Sequence, residues 1–259
     1  MPRRRHARRL KPAPFEYHAP PSVEAACSLL ASLEDAKVLA GGQSLIPLLN
    51  FRLARPQHLV DINRIAGLDR IYERDGGVAV QALARQAGVE DSSVVRNICP
   101  LLWDAIRLVA HRVIRNRGTV CGSLAHADPA SELPAVLLAL GGHVIARSVR
   151  GERLIAAEQL FRGVFESALE PDELLVEAWF PEVTGRHGIL EESRRHGDFA
   201  LAGVVRCEAS LALFGVAPTP VLVDPASPTD GLQPSGDLEA TPEFRLHLVR
   251  VLAEKVMAA

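Results

Sequence analysis

Two stretches of this chain carry the residue types that phosphate recognition uses. The first, Ala40-Gly41-Gly42-Gln43-Ser44-Leu45, follows a short apolar run from Lys37 to Ala40. Adjacent glycines let a backbone approach a ligand without Cβ obstruction, and unpaired N–H groups at the start of a following helix can receive phosphate oxygens. Taken alone the motif is weak, because a bare Gly-Gly after a strand is more often a plain turn. The second stretch runs from Arg115 through Gly118-Thr119-Val120-Cys121-Gly122-Ser123 to Asp128 and Glu132. Thr119 and Ser123 offer hydroxyls and Gly122 offers backbone access. Asp128 and Glu132 are acceptors for ribose hydroxyls or, equally, caps for the next helix. Two such segments from separate parts of one α/β region can clamp a pyrophosphate from two sides.

Other reactive side chains read as structural. His126 stands beside a helix start with no partner nucleophile and receives no catalytic role. Arg194 and Arg195 suit a solvated surface pair better than a phosphate ligand, and Trp103 and Trp179 fit core positions. Neither a Ser-His-Asp set nor an HExxH spacing occurs, so hydrolase chemistry has no footing. The four cysteines, Cys27, Cys99, Cys121 and Cys207, contain no CxxC pair. Neighbouring thiols therefore build no zinc knuckle or iron–sulfur loop, and any iron–sulfur chemistry belongs to another chain. The same scatter fits a reducing cytoplasm rather than a disulfide framework.

The elements that must position these residues follow from pattern and punctuation. Ser22 is an N-cap for an amphipathic helix carrying Val23, Ala26, Cys27, Leu30 and Leu33 and ending near Glu34-Asp35. Strand, glycine turn and helix start, capped by Ser44, is the order expected from Lys37 to Leu49. His58 to Ile62 reads as a strand, and Ile71 to Leu83 as a hairpin around Asp75-Gly76-Gly77. Pro100 to Ala110 and Ser131 to Leu140 read as helices, the second with Pro134 in its first turn. Strands follow at His143 to Arg147 and Leu174 to Phe180. A composition break at Pro181 to Gly188 marks a domain boundary. Beyond it come apolar runs at Phe199 to Val205 and Ala209 to Val216. A Pro-, Gly- and Ser-rich loop, Asp224 to Leu238, then leads to a final helix capped at Thr241-Pro242.

Composition narrows the function. With 48% apolar and 23% charged residues the chain has enough apolar surface for a core, and its length predicts one large or two modest domains. Lys plus Arg is 29 against 31 for Asp plus Glu, a net charge of -2, which disfavours a nucleic-acid role. Only Lys11, Lys37 and Lys255 are lysines, so nearly all positive charge is guanidinium, suited to bidentate contacts with phosphate or carboxylate. No apolar stretch approaches the roughly 20 residues that cross a bilayer. The basic opening, residues 1–10, lacks an apolar h-region and reads as a frayed tail rather than a secretory signal.

At this point the residues resemble a known family. The stretches KPAPFEYHAP, VLAGGQSLIPLLNFRLARPQHLVDINRI, IRNRGTVCGSLAHADPASELPAVLLAL and RRHGDFALAGV are similar, in order, to the flavin-binding medium subunit of the molybdenum hydroxylases. That group includes aerobic carbon monoxide dehydrogenase and the xanthine dehydrogenases. The resemblance implies an α+β fold: an FAD-binding domain of the p-cresol methylhydroxylase type with two α/β subdomains over residues 11–184, then a smaller α+β domain over 185–259. It implies that Ala40, Gly41, Gly42, Gln43, Ser44 and Leu45, with Thr119, Gly122 and Ser123, hold the FAD pyrophosphate. Glu132 matches an acidic residue that contacts the nucleotide portion, with Asp128 nearby. Phe199 matches an aromatic near the isoalloxazine.

The implied function is electron transfer. A large subunit with the molybdenum cofactor oxidises substrate, a small [2Fe-2S] subunit carries electrons, and FAD on this chain passes them to an acceptor, in a cytoplasmic heterotrimer that can dimerise. Two departures accompany the match. Cys121 stands where many members carry a glycine; a positive φ there would strain the loop, whereas a thiol directed inward would simply pack as a small hydrophobe. The C-terminal domain is shorter than expected, lacking helices between its strands and its last helix. A second reading is therefore a scaffold of the same complex that has lost tight FAD binding. A third, a free-standing flavin oxidase, has no supporting residue set.

Overall fold

The computed structural model describes residues 11–258; the expected basic tail lies outside them. The chain opens with β1 (Glu16–His18), α1 (Val23–Ser32), β2 (Ala36–Leu39), α2 (Leu45–Asn50) and β3 (His58–Asp61). Central β3 is flanked by β1 and β2 in a three-stranded parallel sheet. Ser22 caps α1 by accepting a hydrogen bond from the Ala25 amide at 3.2 Å. Ala26, Cys27 and Leu30 face inward at helical spacing, the stripe that periodicity predicts.

Next come β4 (Ile71–Arg74), β5 (Gly77–Gln81), α3 (Gln86–Asp91), α4 (Ser93–Ile98), α5 (Pro100–Leu108), α6 (Arg112–Arg115), α7 (Val120–His126) and α8 (Glu132–Leu140). Then follow β6 (His143–Ser148), β7 (Gly151–Ala156), α9 (Ala157–Leu160), β8 (Phe161–Gly163), β9 (Glu166–Ser167) and β10 (Leu174–Pro181). The long strands form an antiparallel sheet in the order β4-β5-β10-β6-β7, and β8 pairs with β9. Expected and observed strands agree at β3, β4, β5, β6 and β10. Pattern reading passed over β7, whose first four residues are exposed, because a solvated edge strand carries no apolar alternation. It also expects a loop from Arg115 to Ala130, whereas residues 120–126 are the helix α7. Seven residues with a glycine in the middle are too short for a periodic signal.

The last unit is an antiparallel sheet of β11 (His187–Glu192), β12 (Ala202–Cys207), β13 (Ser210–Phe214) and β14 (Val221–Val223), covered by α10 (Pro242–Ala258). Thr241 caps α10 through the Phe244 amide at 3.3 Å. Among the described residues no helix stands between β14 and α10, and the connection is held by side chains instead. Buried Arg245 donates to the carbonyls of Leu201 and Gly215 and to Asp237 Oδ2, while Asp237 Oδ1 accepts from the amides of Glu239 and Ala240. Hydrogen bonds to charged groups are the stronger kind, so these contacts keep the last helix seated.

Helix α8 joins the two larger sheets. Every residue from Leu133 to Ala139 is buried, as a helix apolar on all sides must be. It packs on α5 and β10 in one direction and on β12 and β13 in the other. Phe214 reaches this shared core because its partner across the ladder is Gly203, over which the ring lies. A Cβ at Gly203 would fall inside the ring. Overpacking of this kind costs about 1–3 kcal/mol. Gly203→Ala is therefore expected to lower the thermal midpoint by several degrees, about 2–4 °C per kcal/mol for a chain this size. An unchanged melting curve would show that Phe214 has room to turn aside.

Candidate functional site

The site is built where β2 ends. Its last residue, Leu39, leads into Ala40-Gly41-Gly42, and the chain turns into α2. Gly42 holds φ +73, a left-handed conformation that glycine adopts without the steric cost a side chain brings. The Gly41 backbone rests directly on a second turn: a Cβ there would overlap the Arg117 carbonyl oxygen and lie 2.9 Å from Gly118 Cα. The two glycine-bearing segments thus touch through main chain, 76 residues apart in sequence. The cleft they border has a volume of about 330 Å³ and is lined by Leu39 to Gln43, Ile46, Pro47, Asp61, Asn63 and Arg117.

Side chains missed by sequence reading lock this contact. Asn63 Nδ2 donates to the Ala40 carbonyl at 2.9 Å and to Asp61 Oδ1 at 2.6 Å. Arg85 donates to Asn63 Oδ1 at 2.6 Å and to the Arg117 carbonyl at 2.8 Å. One guanidinium and one amide therefore tie both turns into a single rigid unit. Burial, with Arg117 close by, draws the Arg85 pKa down from its ordinary value, while the Arg117 side chain is exposed at the cleft. Although burial works the other way, hydrogen bonds from Tyr17 and Asn63 hold the Asp61 carboxyl below the usual range. The contacts that Asn63 and Arg85 make with the two turns span 23 and 32 positions, and no local motif announces them. Further out, buried Arg115 pairs with Glu90 and donates to the carbonyls of Val109 and Ala110, fixing the approach to the second turn.

The polar groups left uncommitted point to a ligand. Among the described residues the amides of Gly41, Gly42, Gln43, Ser44 and Leu45 find no protein acceptor. The expected Ser44 cap does not form: the residue is already helical, at φ -94 and ψ -46, and its hydroxyl makes no cap bond. Gln43 folds back, donating from Nε2 to the Gly41 carbonyl at 3.1 Å. A row of free amides beside an exposed guanidinium, with no Cβ at Gly41 or Gly42, suits the oxygens of a diphosphate. The residues present fit a dinucleotide.

The second segment is arranged differently from the loop expected. Thr119 is the N-cap of α7, its hydroxyl accepting from the Gly122 amide at 3.1 Å, and the Ser123 amide already donates to the Thr119 carbonyl. Those two amides are satisfied within the protein. Ser123 Oγ meets Ser131 Oγ at 3.0 Å, joining α7 to the start of α8. Asp128 accepts from the Ala130 amide at 2.9 Å, a turn bond rather than the helix cap expected as its alternative, because the N-cap of α8 is Ser131. Cys121 has a helical backbone and a buried thiol that donates to the Val80 carbonyl at 3.4 Å. Burial pushes that thiol far above its ordinary pKa. The strain expected of a positive φ is absent here. Ser44, Leu45, Thr119, Gly122, Ser123, Asp128, Glu132 and Phe199 do not line the cleft. Phe199 lies 70% exposed on the turn between β11 and β12.

Glu132, in the first turn of α8, faces Glu191 on β11. Burial, and secondarily the neighbouring Glu191, raise the Glu132 pKa to about 8. Burial raises Glu191 to about 7, and Glu191 Oε2 is buried with no hydrogen-bond partner.

Residues 13–183 match the model for the FAD binding domain in molybdopterin dehydrogenase. The chain belongs to this family. It is an oxidoreductase component whose cofactor is FAD. It is 39% identical to the 6-hydroxypseudooxynicotine dehydrogenase complex subunit alpha of Paenarthrobacter nicotinovorans, over 96% of this chain and 95% of that one. It is 40% identical to the caffeine dehydrogenase subunit beta of Pseudomonas sp. strain CBB1, over 82% of this chain and 76% of that one. Its fold superposes on a chain of carbon monoxide dehydrogenase from Hydrogenophaga pseudoflava with a TM-score of 0.90 and 32% identity, covering 96% of this chain and 97% of that one.

Two contrasting substitutions test the cradle. Gly41→Ala forces the turns apart and is expected to weaken FAD binding, measured by fluorescence titration, by about tenfold at a cost of about 1–3 kcal/mol. Cys121→Gly is expected to leave flavin affinity unchanged while lowering stability by about 1–2 kcal/mol, since it removes buried surface and places a second glycine in a helix. The reverse pattern would place the ligand against α7 instead.

The carboxyl pair predicts a pH dependence. Glu132 and Glu191 hold protons in the folded flavin-free chain up to pH values at which the unfolded chain, near the ordinary 4.5, has lost them. Their contribution to stability therefore falls as pH rises from about 4.5 to 8. Glu191→Gln is expected to gain in melting temperature relative to the parent between pH 5 and pH 8; a difference independent of pH would contradict the pairing.

Proposed function

We propose that this chain is the FAD-carrying medium subunit of a molybdenum hydroxylase, assembled with a small [2Fe-2S] subunit and a large molybdenum-cofactor subunit. The observation that carries this reading is the contact of Gly41 with Arg117 and Gly118 beside five amides without acceptors. When bound, FAD supplies redox chemistry that exchanges electrons singly with iron–sulfur clusters and in pairs with a terminal acceptor.

The protein's share is binding and electrostatics. The amides of Gly41 to Leu45 and the Ser44 hydroxyl would receive the pyrophosphate from the α2 side, and Arg117 would offset its charge from the other turn. Asn63 and Arg85 keep the two turns at fixed separation. Thr119 and Gly122 support the second turn by closing the start of α7, and Ser123 and Asp128 hold the connection to α8. Glu132, protonated near neutral pH, would offer a hydrogen bond to the nucleotide portion. Phe199, exposed beside the last sheet, would cover the flavin ring. Among the described residues no helix is long and apolar enough to cross a membrane, and all four thiols are free, in keeping with a reducing cytoplasm.

A scaffold without tight flavin binding loses its main motive, because the Cys121 side chain is directed into the core. Purification of the complex through a tag on this chain, with assay of flavin, iron and molybdenum, distinguishes the readings. The proposal expects near-stoichiometric FAD with iron and molybdenum on co-purifying chains. Metals without flavin would return the scaffold, and flavin with turnover by this chain alone would return the oxidase.

A further inference from the structure

We propose that Glu16, His18 and His58 form a binding site for a divalent transition ion with the coordination habits of zinc, separate from the dinucleotide cleft. Parallel pairing of β1 with β3 sets Glu16 opposite His58 and His18 opposite Val60. Strand alternation then puts Glu16, His18 and His58 on one face of the sheet. His18 Nε2 and His58 Nδ1 are 3.2 Å apart, and Glu16 Oε2 is 3.6 Å from His58 Nδ1. All three ligand atoms lie within 4.8 Å of one another. A tetrahedral ion with metal–ligand bonds of about 2.0–2.2 Å separates its ligand atoms by roughly 3.3–3.6 Å. The two measured edges bracket that spacing, and the third, between Glu16 and His18, lies within 4.8 Å.

The donor set is suited to the ion. Two imidazoles and one carboxylate are ligands that zinc accepts together, and three protein ligands leave a fourth position for water. The histidine rings are tilted by 45° with centroids 5.3 Å apart, so nitrogen edges converge rather than ring faces stacking. Access is open, since the Glu16 side chain is 74% exposed, while the His58 side chain, at 18%, anchors the site against the sheet. The opposite face fixes the strand register, with the Tyr17 hydroxyl donating to Asp61 Oδ2 at 2.6 Å. An ion here joins the three-residue edge strand β1 to β3, whose far end carries Asp61 into the cleft. Its consequence is a firmer attachment of the N-terminal strand, and metal binding stabilises the folded chain by linkage.

Full-length protein stripped with a chelator and titrated with zinc against a chromophoric competitor tests this, with cobalt(II) as an optical probe. One tightly held zinc per chain, a rise in melting temperature on adding it, and the intense visible bands of four-coordinate cobalt are expected. His18→Ala and His58→Ala should lose all three effects while keeping the metal-free melting temperature and circular dichroism of the parent. Tyr17→Phe, altered on the opposite face, should retain them. Should a histidine variant unfold, Glu16→Gln serves in its place and should weaken zinc binding. Equal zinc binding by parent and variants, or a weak six-coordinate cobalt spectrum, would overturn the site and leave the flavin reading untouched.

Discussion

The structure depends on one main-chain contact, the seating of Gly41 against the carbonyl of Arg117 and the Cα of Gly118. Nothing larger than a hydrogen fits on that side of Gly41, and the closeness brings two turns from different subdomains to the edge of one cleft. With Gly42 in the left-handed region, the chain leaves β2 and enters α2 with five successive amides unpaired within the protein. An unpaired amide is costly when it is kept from water. The arrangement is therefore stable while solvent reaches the loop, and is improved when an anionic ligand replaces solvent there.

A contact so tight needs support, and the surrounding polar groups supply it. Asn63, itself at the cleft, and Arg85 hold the carbonyls of Ala40 and Arg117, and Arg115 with Glu90 fixes the segment leading in. These hydrogen bonds satisfy the carbonyls of both turns and leave the amides of residues 41–45 without protein acceptors. Farther away, α8 carries the same rigidity to the last sheet, since its buried faces serve both neighbouring layers. Glu132 at the start of α8 faces Glu191 on β11 across that interface. Burial raises the pKa of both carboxyls, to about 8 and about 7, and so favours their protonated forms.

Sequence reading located what local rules encode. Gly41-Gly42 after an apolar run, Ser22 before an amphipathic stripe and Asp75-Gly76-Gly77 between two short strands each have a nearby physical cause. Resemblance to a known family then carried the cofactor. What stayed hidden was made by tertiary contact. Asn63 and Arg85 are ordinary polar residues until folding brings them beside two carbonyls. The inward turn of Cys121 follows from a helix too short to show periodicity, and the strain considered for it arose from reading a helix start as a loop. Glu16, His18 and His58 become neighbours only through the pairing of β1, a strand of three residues that composition does not distinguish from the Pro-rich segment around it. Ser44 was assigned a cap on residue type alone, and its helical backbone removes the geometry a cap requires.

The free amides are the heart of this account, and hydrogen exchange reads them directly. Exchange followed by mass spectrometry over residues 41–45, with and without FAD, should show rapid labelling in the flavin-free protein and strong slowing when FAD is bound. Equal protection in both states would mean that these groups are already satisfied within the protein and that the dinucleotide is held elsewhere.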